Sequence, residues 1–202
     1  MKRIFLLAVL ALALPTAVFA GSNVDYTNSG GTLAGSNAGL SLSGSALSAV
    51  NGLNGGGLIT GSNLGSVSFQ TGALTSGSLQ MGGTFAGGGS FTITGNGSNG
   101  VPSAILFTGT FTSPVTWTMV TLSNGTHNYT LTGGLSGTTV SGYSTVGVTV
   151  QLTINTGKGY FNGSSVISSG DTNVVVPEPG SLGLLGTGLI SLAGVIRRKL
   201  KV

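Results

Sequence analysis

The chain has 202 residues, enough for one ordinary domain plus targeting segments, and no cysteine, which excludes a disulfide framework, thiol catalysis and thiolate metal sites. Only 5% of its residues are charged, against roughly 25% in an ordinary soluble domain, and 38 are glycine. The net charge of +4 comes from the basic residues at the two ends; between Arg3 and Arg197 stand only Asp25, Lys158, Asp171 and Glu178, so the domain has no basic patch with which to bind nucleic acid by phosphate neutralisation.

Residues 1–20 begin with Lys2 and Arg3, continue as the apolar run 4–14 and end in Pro15-Thr16-Ala17-Val18-Phe19-Ala20. A basic start, a short apolar stretch and small residues before a cut are the parts of a secretory signal peptide. Signal peptidase is expected to cut between Ala20 and Gly21. The run is too short to cross a bilayer, which takes about 17–25 residues.

Residues 21–66 are rich in Gly, Ser, Asn, Ala and Leu. Stretches 35–39 and 54–57 read as turns. Between them recur short runs such as Leu40-Ser41-Leu42-Ser43 and Leu58-Ile59-Thr60, at spacings too irregular for a solenoid. This segment either adds strands to the domain that follows or stands loose beside it.

Residues 67–175 alternate more sharply. Phe91 and Ile93 flank Thr92; Ile105, Phe107 and Phe111 share one parity against Thr108, Thr110 and Thr112; Val148, Val150, Leu152 and Ile154 alternate with Thr149, Gln151, Thr153 and Asn155. Period-two alternation with β-branched residues predicts half-buried strands. Residues 115–122 and 128–132 flank Asn124-Gly125, a pair suited to the positive φ values of a tight hairpin turn. The predicted fold class is all-β, an antiparallel β-sandwich or barrel-like sheet with its core between about residues 65 and 176.

Chemical groups are sparse. His127 reads as an exposed turn residue, and Asp25 and Asp171 as solvated loop charges near opposite ends of the domain. A Ser-His-Asp arrangement of His127 with either acid has no nucleophile elbow to support it, and two acids with one histidine fall short of a metal site. No cofactor and no enzymatic activity are expected. Sequons stand at Asn96, Asn124, Asn128 and Asn162. Trp117, Tyr129, Tyr143 and Tyr160 are the aromatics available for stacking on a sugar. Thr-x-Thr sets at 92/94, 108/110/112, 116/118 and 130/132 would each project from one sheet face. A flat threonine array can order water, although no sequence repeat aligns these pairs into ranks.

The end of the chain is more specific. Val176-Pro177-Glu178-Pro179-Gly180 leads into an uncharged run, 180–196, followed by Arg197-Arg198-Lys199. Seventeen residues lie at the short end for a transmembrane helix, and the basic flank stays cytoplasmic. Pro177 and Pro179 favour an extended stretch ahead of it. This order of three unlike features resembles the PEP-CTERM sorting signal, over residues 176–199. The resemblance implies recognition by an exosortase, a membrane-embedded transpeptidase, with cutting near Pro177, Glu178 and Pro179. It also implies an inner-membrane-anchored intermediate, then the cell surface or extracellular matrix of a Gram-negative-type bacterium. The same tail also goes under an ice-binding C-terminal label, which describes the anchor rather than the domain it carries. The resulting expectation is an exported structural or interaction protein meeting exopolysaccharide or other surface components. The alternatives are a carbohydrate- or surface-binding adhesin and, after it, an ice-binding protein.

Overall fold

Runs that alternate apolar with hydroxyl side chains form strands almost throughout. The computed structural model describes residues 22–176, of which Asn23–Val176 make one compact unit. The expected signal peptide with its cut at Ala20 and Gly21, the sorting residues Pro177, Glu178 and Pro179, the transmembrane run 180–196 and the basic stop Arg197, Arg198 and Lys199 lie outside the described residues. Among the described residues no helix is long and apolar enough to cross a membrane.

The strands are β1 (Ser22–Ser29), β2 (Thr32–Ser36), β3 (Gly39–Asn51), β4 (Ile59–Gln70), β5 (Leu74–Ser78), β6 (Gly82–Phe85), β7 (Gly88–Gly95), β8 (Ile105–Phe111), β9 (Val115–Thr121), β10 (His127–Thr139), β11 (Ser144–Asn155), β12 (Ser164–Val166) and β13 (Ser169–Val176). Eight of them close on themselves in the order β11-β13-β1-β3-β4-β7-β8-β10, with β10 pairing back to β11. The architecture is an eight-stranded antiparallel barrel with extra strands. Closure removes the exposed edges that an open sheet would carry.

The extra strands arise because neighbours of two long strands change midway. Strand β10 pairs with β9 over His127–Thr132 and with β8 over Leu135–Thr139. Strand β3 pairs with β2 near its start and with β1 near its end. The first switch falls at residues 112–114, where Pro114 has no N–H to give a ladder. The second falls at Gly30 and Gly31. One half of this unit is therefore the closed barrel. The other is forked into β12-β2-β3 on one side and β5-β6-β9-β10 on the other.

Two aromatic groups fill these halves. Phe69, Phe91, Phe107 and Phe111 meet inside the barrel with ring centroids 5.8–6.1 Å apart, mostly edge to face. In the forked half Trp117 stacks on Tyr129 at 5.0 Å and meets Phe161 edge-on at 5.5 Å. Buried Trp and Tyr need partners for their polar tips. Trp117 Nε1 donates to Leu79 O (2.9 Å), and Tyr129 Oη donates to Gln80 O (2.7 Å) and accepts from Phe161 N–H (3.1 Å).

The predicted alternation holds in β7, where Phe91 and Ile93 are buried, and in β11, where Val148, Val150, Leu152 and Ile154 are buried. It breaks in β8. Phe107 pairs with Ile93 but Ile105 pairs with Thr94, leaving Leu106 as an extra residue. This β-bulge turns Leu106 and Phe107 both inward and Ile105 out to solvent. The hairpin of β9 and β10 forms where expected, with a longer loop than the tight turn. Gly125 alone takes a positive φ, +78°, and its N–H donates to Leu122 O at 2.9 Å. Asn124 takes no positive φ and uses its side chain instead, accepting from Thr126 N–H at 3.0 Å. Residues 22–66 form β1, β2, β3 and the first two thirds of β4, with Leu33, Leu40, Leu47 and Val50 fully buried.

Candidate functional site

His127 is the first residue of β10 and is not exposed: 7% of its surface is open. It shares inward parity with Tyr129 and Leu131. The Tyr160 ring stacks over it at 4.6 Å, and Thr121 Oγ1 lies 3.0 Å from Nδ1. Asp171 lies across from Gln151, which pairs with Thr132, five residues along β10 and on the opposite face. The structure therefore does not bring His127 to either acid. Among the described residues no three His, Cys, Asp or Glu gather as a metal site.

Asp25 and Asp171 depart from the reading of two separate loop charges. They lie on β1 and β13, neighbours in the barrel wall. Burial raises the Asp25 pKa above its ordinary 3.8, and the negative charge and hydrogen bonding of Asp171 raise it further. Asp25 Oδ1 is buried without a hydrogen-bond partner, while Asp171 Oδ1 accepts from Thr27 Oγ1 at 3.3 Å.

The stacking candidates divide. Trp117 and Tyr129 are core residues at 1% and 0% exposure, so neither is a platform for a sugar. Tyr143 and Tyr160 are exposed. Of the sequons, Asn96 is tied to Asn63 O and Ser98 N–H, Asn124 to Thr126, and Asn128 to Asn155. Asn162 is exposed.

A polar site that no repeat in the sequence announces is built by strand register. Ser76, Thr84, Thr116, Thr132, Gln151 and Asp171 stand opposite one another across β5, β6, β9, β10, β11 and β13. Two residues along, Thr118, Thr130, Thr153 and Ser169 form a second rank. Such ranks are spaced about 4.8 Å across strands and about 6.8 Å along them. The residues alternate with buried Val115, Trp117, Tyr129, Leu131, Val150 and Leu152, so the inner parity orders the outer one.

Where β8 gives way to β9, a groove of about 450 Å³ opens in this face. Pro114, Gly133, Gly134 and Val150 line it together with Thr116, Thr132, Thr149, Gln151 and Asp171. Hydroxyls and one amide offer donors and acceptors without charge, and the carboxyl of Asp171 adds an acceptor. That inventory suits a neutral polyhydroxyl ligand, held by hydrogen bonds rather than by ring stacking. The cue in the sequence was the Thr-x-Thr pairing, but only register converts pairs into ranks.

Residues 175–199 match the family model of the PEP-CTERM protein-sorting motif. Neither the curated proteins nor the solved structures give a match to the chain.

Proposed function

We propose that this chain, carrying a PEP-CTERM protein-sorting motif, is an exported structural or interaction protein of the cell surface or extracellular matrix, delivered there by an exosortase. The observation that carries the reading is the motif match at residues 175–199. Such a motif implies an exosortase as processing partner and export to a surface or membrane-associated location. The signal peptide at 1–20, the cut near Pro177, Glu178 and Pro179, and the basic stop at Arg197, Arg198 and Lys199 complete the route. The tail is a substrate; the β-barrel is the cargo, and no catalytic role is assigned to it. Mass spectrometry of the mature protein from cells with and without the exosortase tests this. The expected result is a C-terminus ending near residue 179 only when the enzyme is present. An intact C-terminus in both strains would defeat it.

A second reading, favoured by the groove beside Gly133 and Gly134, makes the cargo an adhesin for neutral polysaccharide. Hydrogen-bonding ranks of Thr, Ser and Gln replace the aromatic platforms in that role. Binding to uncharged glycans is expected to fall at least tenfold in Thr132→Val with Gln151→Ala, and to survive Tyr160→Ala. Unchanged binding by the double variant, or none by the wild-type chain, removes this reading. The same ranks are what an ice-binding reading requires, so ice-recrystallisation assays on the same variants test that remaining alternative.

A further inference from the structure

The closed end of the barrel gathers exposed apolar side chains. Ile105 opens β8, and Val140 N–H donates to Leu106 O at 2.8 Å, which seats Val140 beside it. Tyr143 O accepts from Thr139 N–H at 3.0 Å in the same turn. Val146 stands opposite Ser136 at the start of β11, with 78% of its surface open, and Thr145 Oγ1 donates to Val175 O near the end of β13. Ile105, Val140, Tyr143, Val146 and Val175 are thus exposed apolar residues at one end of the fold. The loops of this end, 52–58, 96–104 and 140–143, contain no charged residue, whereas Lys158 lies in the loop beyond the other end of β11.

The chain leaves the barrel at this end, because β13 finishes at Val176 beside these residues. Only Pro177, Glu178 and Pro179 separate Val176 from the uncharged run 180–196. Four residue steps reach at most about 14 Å when fully extended, and a headgroup layer takes up about 5–7 Å of that. Exposed aliphatic side chains beside loops without charge, so close to a bilayer, have a lipid boundary to meet, and a tyrosine among the aliphatics suits the headgroup level.

We propose that this end of the barrel rests on the lipid surface while the tail is attached, using Ile105, Val140, Tyr143, Val146 and Val175 as its seat. The proposal rests on the reading of residues 180–196 as a membrane anchor. The seat holds the 177–179 tether at the membrane surface, where a membrane-embedded processing enzyme meets it. Cutting the tether removes the covalent hold and leaves a weak apolar contact, which releases the domain.

The chain has no cysteine, so single-cysteine labelling is clean. Full-length Ile105→Cys, Val146→Cys, Met81→Cys, Val120→Cys and Leu185→Cys variants are labelled with an environment-sensitive fluorophore and reconstituted in phosphatidylcholine–phosphatidylglycerol vesicles. Quenching by lipid-attached nitroxide is then read. Positions 105, 146 and 185 are expected to be quenched at least threefold more than 81 and 120, which are as exposed but lie on the forked half. Quenching at 185 with 105 and 146 no different from 81 and 120 overturns the seat and leaves the anchor standing. No quenching at 185 overturns both. Loss of water exposure at 105 and 146 without lipid quenching, appearing only at high protein density, assigns the face to a second copy and equally overturns the seat.

Discussion

Asp25 illustrates how few charges this chain can place and what they cost. Its carboxyl is partly buried beside Asp171, and both conditions penalise the ionised form. With the folded-state pKa above the unfolded one, the contribution of this group to stability is full below about pH 3.8 and is lost as pH rises through the raised value. Thermal melting of the wild type is therefore expected to drop as pH rises through the mildly acidic range. Asp25→Asn is expected to flatten that dependence and to melt higher at neutral pH; a variant with an unchanged profile would refute the account. Tyr26, pushed up to about 12 by burial, acts in the alkaline range, where stability falls as pH passes 10.0, its ordinary value. Trp117 carries a different expectation. Its ring is enclosed by Tyr129 and Phe161, so Trp117→Ala is predicted to cost about 3–5 kcal/mol in denaturant unfolding. Glycan binding by surviving folded protein is expected to be unaffected, because the indole does not reach the groove.

At the scale of elements, single insertions decide which residues face inward. The alternation in Val148, Val150, Leu152 and Ile154 was readable because the extra residue of β11, Gly147, falls just before it. The same reading failed at Ile105 because Leu106 is inserted in β8, and a one-residue shift moves a side chain to the other face. Nothing local in residues 105–111 marks that insertion; it exists relative to β7. Close backbone approach is equally a cross-strand property. Gly109 and Gly137 pair directly, and a Cβ at Gly137 would collide with Thr108 O and crowd Phe107 Cζ at 2.8 Å. A Cβ at Gly125 meets nothing and suffers only the left-handed backbone, worth about 1–2 kcal/mol. Gly137→Ala is therefore expected to lower the melting temperature several-fold more than Gly125→Ala. Equal shifts would show that contact with β8 is not what that position serves.

For the whole molecule, destination and shape come from different kinds of information. If residues 175–202 suffice for sorting, a soluble exported reporter fused to them is expected to become membrane-associated and to be cut in an exosortase-dependent way. Scrambling the same residues is expected to leave the reporter soluble; identical behaviour of both fusions would sink the sorting account. The amino-acid order alone determined the sorting motif, because the motif is a short linear segment whose residue order is its whole content. It also determined an all-β domain, because period-two alternation is a local property of each strand. Only the tertiary structure decided that Asp25 lies beside Asp171, that His127 and Trp117 are enclosed, that the threonine pairs form ranks, and that the barrel's apolar end is where the chain leaves. Each of these joins segments far apart in the chain. Which residues meet is set by strand register and bulges, and those are settled by the competition of all strands for one common core.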